Sequence, residues 1–239
     1  MNVLFLDIGN STTILYHPLQ KKILQTIETP RLFSHPLELN IKKTTKVIVS
    51  SVVETIKSKL EKEFPNFYFL NDKDIPFQKI SIERPEDIGI DRLLTAWAAW
   101  VRYKKNILVI DAGTAITACF ITQEGCYEGG LIFPGLGTCS KALNDYTDKI
   151  PYIKVDYQSN IIGKSTKEAV QIGLFQGFKH LINGAVLQFK EQFPTLSVVG
   201  TGQSLKIFKK ELLIDHFHPY LIFEGMASIQ DDIRPKLKG

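Results

Sequence analysis

Two places in the chain set a carboxylate at the end of an apolar run and follow it at once with glycine and small polar side chains. The first is Leu4-Phe5-Leu6-Asp7-Ile8-Gly9-Asn10-Ser11-Thr12-Thr13; the second is Leu108-Val109-Ile110-Asp111-Ala112-Gly113-Thr114-Ala115-Ile116-Thr117. An aspartate buried at a strand end is costly unless it is paired or holds a cation. The glycine is expected to adopt positive φ and to bring backbone N–H groups toward a ligand, with Asn10, Ser11, Thr12 and Thr114 as further donors. Two such turns facing each other would clamp a polyphosphate, and Asp7 and Asp111 could hold the cations that neutralise it. Aspartic proteases also present two D-x-G turns whose carboxylates share a proton, but their fold is nearly all β and this chain carries several helix patterns. A plain hairpin turn accounts for one copy far better than for both.

A third group is Gly89-Ile90-Asp91-Arg92, at the start of an apolar helix. An acidic residue in a first helical turn is favoured by the helix dipole, which is explanation enough for an isolated G-x-D-R. Beside a phosphate clamp the same pair offers a base for a substrate hydroxyl and a guanidinium for a substrate anion.

The elements that must position these residues follow from periodicity. Each D-x-G copy reads as strand, tight turn, strand, and the repetition divides the chain into related halves, 1–104 and 105–239. The first half continues with strands at 22–28 and 46–52, a helix over 54–64 with Ile56, Leu60 and Phe64 on one face and Pro65 ending it, and a strand at 67–70. A helix over 90–104 is apolar around most of its circumference, so it is buried in a core or between subunits. In the second half, Gly129 to Gly135 reads as a loop in close backbone approach or as a structural turn. One long helix or two abutting ones run from Thr166 to Phe193, capped by Ser165 or Thr166. Gly173, Gly177 and Gly184 on it predict a tightly packed neighbour. A strand at 196–199 leads into Gly200-Thr201-Gly202-Gln203, followed by a helix, and a last helix covers 223–233. Strands and helices alternate, so the class is α/β.

Composition narrows the function. The 239 residues are 44% hydrophobic and 23% charged, with 16 Gly and 11 Pro, which excludes disorder and a collagen-like chain. The formal charge of +4 arises within residues 21–64, where Lys42, Lys43, Lys46, Lys57, Lys59 and Lys62 alternate with Glu54, Glu61 and Glu63. That pattern, without aromatic partners, is a solvated surface rather than a nucleic-acid footprint. The longest apolar run, Leu93 to Val101, is interrupted by Thr95 and falls short of the ~20 residues a membrane span needs. The N-terminus lacks a basic leader region, and a cytoplasmic location is expected. Cys119, Cys126 and Cys139 form no C-x-x-C, and of the five histidines (His17, His35, His180, His216 and His218) only the last two are close in sequence, so neither a disulfide framework nor a zinc site is expected.

Taken in order, DIGNST at 7–12, SSVV at 50–53, GIDR at 89–92, DAGTAIT at 111–117, GGLIFPG at 129–135, GKSTKEAVQIG at 163–173 and VVGTG at 198–202 resemble the type III pantothenate kinases. The resemblance implies two ribonuclease H-like domains of the acetate and sugar kinase/Hsp70/actin superfamily, with ATP between them, and a homodimer. It implies phosphorylation of pantothenate to 4′-phosphopantothenate, the first step of coenzyme A synthesis. Carried over residue by residue, Asp7, Ile8, Gly9, Asn10, Ser11, Thr12, Thr13 and Ile14 would hold the ATP phosphates, with Asp7 near Mg²⁺. Asp111 would bind a monovalent cation, K⁺ or NH₄⁺; Thr114 would contact ATP, and Gly202 would lie on the adenosine side. Gly89, Ile90, Asp91 and Arg92 would hold pantothenate, with Asp91 as proton acceptor, and Thr166 would bind the same substrate. Three positions depart from the pattern: Ile82 stands where many members have a Tyr, Gln203 replaces the second Gly of T-G-G, and no Lys follows the first D-x-G turn. Two alternatives differ in kind. One is a nucleotide-dependent regulator or scaffold on the same fold, which has no use for Asp91-Arg92; the other is a kinase of another small hydroxy acid, left open by Ile82.

Overall fold

The computed structural model describes residues 3–34, 39, 41, 42, 44–208 and 211–237, without the side chains of Phe33 and Ser34. His35 and Lys43 lie outside the described residues. In chain order the elements are β1 (Val3–Ile8), β2 (Thr12–His17), β3 (Lys22–Glu28), α1 (Thr29–Ser34), β4 (Lys46–Ser51), α2 (Glu54–Glu63), β5 (Phe67–Phe69), β6 (Lys79–Ile80) and α3 (Ile90–Tyr103). They continue as β7 (Ile107–Ala112), β8 (Ala115–Ile121), β9 (Cys126–Pro134), α4 (Leu136–Asp145), α5 (Thr166–Gln192), β10 (Ser197–Thr201), β11 (His216–Phe217) and α6 (Leu221–Ile233). None of the described helices is long and apolar enough to cross a membrane.

The chain forms two compact units. The first runs to Tyr103 and includes Gly125–Tyr127 and the chain from Leu221 on; the second holds Lys104–Glu124 and Glu128–Tyr220. Division of the sequence at 104/105 puts the last helix with the second half, whereas α6 packs on α3 in the first. Gly225 makes that approach feasible, since a Cβ there would stand 2.3 Å from the Leu94 carbonyl oxygen, and Phe223 stacks on Tyr16 with centroids 4.3 Å apart. Local periodicity predicts a helix over 223–233 but not which sheet covers its apolar stripe.

The sheet of the first unit has the order β3-β2-β1-β4-β5. β1 is antiparallel to β2 and parallel to β4, and β4 is parallel to β5. Alternation along β1 and β4 sends Leu6, Ile8, Val47 and Val49 into a core with Ile56 and Leu60 of α2, while Asp7 and Ser50 share the opposite face. The other sheet has six strands in the order β6-β9-β8-β7-β10-β11; its last five repeat the plan, with β7 antiparallel to β8, and β10 parallel to both β7 and β11, while the short β6 pairs parallel with the start of β9 at Cys126 and Tyr127. Its core joins Ile110, Ala112 and Val198 to Phe175, Phe178 and Ile182 of α5.

Several sequence expectations change here. Residues 129–134 are part of β9, not a loop, and the glycines serve strand contact: a Cβ on Gly130 would stand 1.7 Å from the Ala118 carbonyl oxygen. Gly173, Gly177 and Gly184 face open space rather than a tight neighbour, as nothing lies within 4 Å of a Cβ built on any of them. Residues 166–192 form one helix. The helix expected after Gly202 is a 3-10 segment, Gln203–Phe208. The tryptophans of α3 are accommodated within their own unit: Trp97 is 9% exposed and lies edge-on to Phe77 at 5.3 Å, while Trp100 packs 5.1 Å from Trp97 and closely against Gly125. A second copy of the chain is not required to cover them.

Candidate active site

The first D-x-G turn closes the β1–β2 hairpin. The Gly9 N–H donates to the Thr12 carbonyl at 3.1 Å, and a Cβ on Gly9 would crowd that same oxygen at 3.1 Å. Gly9 is therefore selected by close approach and not by positive φ, which neither Gly9 nor Gly113 adopts. Asn10, Ser11 and Thr12 are exposed at the tip, Asp7 and Ile14 are half-buried behind it, and Ile8 and Thr13 are buried. Thr29, unnoticed in the sequence, braces the turn from below. Its hydroxyl donates to the Gly9 carbonyl at 2.7 Å, its N–H donates to the Ser11 carbonyl at 3.0 Å, and its Oγ1 lies 2.9 Å from that of Thr13.

The Gly89–Arg92 segment belongs to the same unit and opens α3. Arg92 N–H donates to Asp91 Oδ1 at 2.7 Å and to the Gly89 carbonyl at 3.0 Å. The carboxylate thus folds back on the helix N-terminus, where the dipole favours negative charge. Glycine at 89 permits this, because a Cβ there would stand 2.5 Å from Asp91 Oδ1 and 3.4 Å from Val52 Cγ1. Burial raises the Asp91 pKa above the ordinary carboxylate value, only partly offset by the Arg92 N–H and the Arg92 charge. Ile90 is buried, and Arg92 is half-buried beside it.

The end of β4 joins these two groups. Asp7 is in register with Ser50 and Ile8 with Ser51; the Val52 N–H donates to the Ile8 carbonyl at 3.1 Å, and the Val52 side chain adjoins Gly89. Ser51 Oγ accepts from the Val53 N–H at 3.2 Å, turning the chain into α2.

In the second unit, the Gly113 N–H donates to the Ala115 carbonyl at 2.9 Å. The Thr114 carbonyl accepts from the Gly135 N–H at 2.9 Å and from Thr138 Oγ1 at 2.6 Å, so α4 braces this turn as Thr29 braces the first. Gly202, with φ of 91°, abuts the turn: a Cβ would stand 2.4 Å from the Ala112 carbonyl oxygen. Asp111 is half-buried in register with Thr201, and Thr114 is exposed. Ser165 caps α5 by accepting from the Glu168 N–H at 3.2 Å, which leaves Thr166 exposed on the first turn. The first unit therefore collects residues 7–14 and 89–92, and the second collects Asp111, Thr114 and Gly202, with Thr166 on the first turn of α5. Within each unit the donor set suits an anionic oxygen ligand with a hard cation: a strand-end carboxylate beside exposed turn amides and hydroxyls. In the first unit a buried hydroxyl, Ser50 Oγ, also stands without a hydrogen-bond partner among the described residues. No cluster of three or more His, Cys, Asp or Glu suited to a metal occurs among the described residues.

Similarity to known proteins agrees with this geometry. Two solved structures align over nearly the whole chain and share its fold. One, assigned by name to the Baf family of transcriptional activators of Campylobacter jejuni, covers 98% of this chain and 100% of its own at 24% identity and a TM-score of 0.69. The other, named as a 2-dehydro-3-deoxygalactonokinase of Sinorhizobium meliloti, covers 98% and 99% at 13% identity and a TM-score of 0.60. The repeated five-stranded order is thus the α/β fold of paired ribonuclease H-like domains. In sequence, the type III pantothenate kinase of Sulfurihydrogenibium sp. is 31% identical over 94% of this chain and 97% of its own length. That of Bacillus cytotoxicus is 32% identical over 96% and 95%, and that of Persephonella marina is 40% identical over 63% and 60%. The family model for type III pantothenate kinase matches residues 3–188, which include both D-x-G turns and the G-x-D-R helix start, and the chain belongs to that family.

Proposed function

We propose that the chain phosphorylates pantothenate with ATP, giving 4′-phosphopantothenate, the first committed compound on the way to coenzyme A. The reading rests on family membership and on one observation above all: a carboxylate of raised pKa is held at the start of α3, tied through the end of β4 to the D-x-G turn of the same unit. In the reaction the pantothenate 4′-hydroxyl oxygen attacks the γ-phosphorus, the bond from that phosphorus to the β,γ-bridging oxygen breaks with its electron pair going to ADP, and the hydroxyl proton passes to Asp91. Gly89, Ile90 and Arg92 orient the acceptor, with Arg92 facing its carboxylate, and Thr166 is assigned to the same substrate. The amides and hydroxyls from Asp7 to Ile14 hold the phosphates, Thr114 contacts the nucleotide, and Gly202 lies on its adenosine side. Asp7 would hold Mg²⁺ and Asp111 would hold K⁺ or NH₄⁺, and the charge of these ions would offset that of the transferring phosphoryl group. Alignment supplies most of the acceleration, since a loose transition state asks little covalent work of the protein.

The working form is a homodimer in the cytoplasm. The support for pairing is the exposed apolar surface of the second unit, where Tyr146, Ile161 and Ile162 are 89%, 79% and 73% exposed. A coupled assay of ADP release with ATP, Mg²⁺ and K⁺, run with and without pantothenate, tests the activity. Pantothenate-dependent ADP release is the expected result. ADP release indifferent to pantothenate, or appearing only with another hydroxy acid, would replace this reading.

A further inference from the structure

The mechanism above has no use for the Ser50-Ser51 pair of the SSVV motif at 50–53. Ser51 is explained by the turn into α2. Ser50 is not: its side chain is 0% exposed, and its Oγ has no hydrogen-bond partner among the described residues. A buried hydroxyl left in that state destabilises the fold, and alanine would fill the same space without the cost. Its place is specific. Ser50 is in register with Asp7 across a parallel pair, where neighbouring strands lie ~4.8 Å apart and register partners share a face. The second unit repeats the arrangement: Thr201, 4% exposed, stands in register with Asp111. A hydroxyl residue on the neighbouring parallel strand is therefore part of the duplicated plan.

We propose that Ser50 is a positioning residue for the phosphoryl-donor site, its O–H donating to the Asp7 carboxylate when the nucleotide and its magnesium are bound and so fixing the Asp7 rotamer. This rests on the assignment of Asp7 above. Rotation about the Asp7 Cα–Cβ bond carries a carboxylate oxygen across the short gap between strands, and the hydroxyl gains the partner that it otherwise lacks. The inherent cost in the unliganded chain is recovered on binding, which gives Ser50 opposite effects on stability and on affinity.

The test uses the full chain and a non-hydrolysable ATP analogue, with binding followed by calorimetry in Mg²⁺ and in EDTA, and with thermal melting of the unliganded protein. Ser50→Ala is expected to melt higher than wild type and to bind the magnesium complex about ten- to a hundredfold more weakly, the scale of one hydrogen bond to a charged group. Affinity in EDTA should be unchanged, and in an Asp7→Asn background Ser50→Ala should have no further effect on binding. Wild-type affinity in Ser50→Ala, or an equal loss in EDTA or in the Asp7→Asn background, overturns the proposal, because a packing role predicts those outcomes. Pantothenate is absent from this experiment. A wild-type chain that binds the magnesium complex yet transfers nothing to pantothenate overturns the acceptor assignment alone.

Discussion

Asp91 and Asp7 are both strand- or helix-end carboxylates, yet the proposed function sets them different tasks, and substitution tests that separation. Asp91→Asn keeps the size and the acceptor for the Arg92 N–H but cannot take a proton. Turnover should fall by ~10²–10⁴, the usual worth of general base catalysis, with nucleotide affinity retained. Asp7→Asn should instead weaken the binding of magnesium nucleotide, since it removes the carboxylate that would hold the magnesium. Turnover and affinity measured on both variants check the split; near-normal turnover in Asp91→Asn would remove the base. The raised Asp91 pKa adds a prediction about stability. Because the folded value lies above the unfolded one, the stabilising contribution is fully present below the unfolded pKa and is lost as pH rises through the folded pKa. The unliganded Asp91→Asn chain, neutral throughout, should therefore melt above wild type at pH 8, with the gap closing in acid. Thermal melts across that range would show it, and a gap independent of pH would place the effect elsewhere.

Elements hold these residues by close backbone contact more than by side-chain packing. Gly89 lets the Asp91 carboxylate fold onto its helix, Gly202 lets the end of β10 press against Ala112, and Gly225 lets α6 lie on α3. The last of these fixes the helix that carries Asp91. Gly225→Ala drives a methyl toward the Leu94 carbonyl, where backbone must move, and should cost about 1–3 kcal/mol, the usual scale of overpacking. A lowered urea midpoint with an unchanged slope is the expected measurement; an unchanged midpoint would mean that the two helices separate freely.

At the scale of the whole molecule the two units repeat a five-strand order, and the proposed function gives them different cations. Asp7 is assigned the magnesium and Asp111 a monovalent ion, so activity should rise several-fold when K⁺ or NH₄⁺ replaces Na⁺ at constant ionic strength. Equal rates in the three salts would count against a monovalent site at Asp111. The exposed Tyr146, Ile161 and Ile162 lead to the second expectation at this scale, a dimer in light scattering at micromolar concentration. A monomer there would sink it.

The sequence by itself determined the candidate motifs and most of the elements, because these depend on short spacing. A carboxylate at an apolar strand end followed by glycine is visible in ten residues, the faces of α2 and α3 follow a period of 3.6, and β3 begins and ends where alternation places it. Tertiary structure alone decided what depends on partners distant in the chain. It brought Thr29 under the first turn and Gly135 and Thr138 under the second, set Ser50 beside Asp7, and gave α6 to the first unit. It also reassigned the glycines: those at 129–130 belong to a strand, and those at 173, 177 and 184 meet open space. A glycine in sequence records only that a side chain was unwelcome. Whether backbone conformation, a neighbouring carbonyl or nothing at all excludes it is fixed by atoms that arrive from elsewhere in the fold.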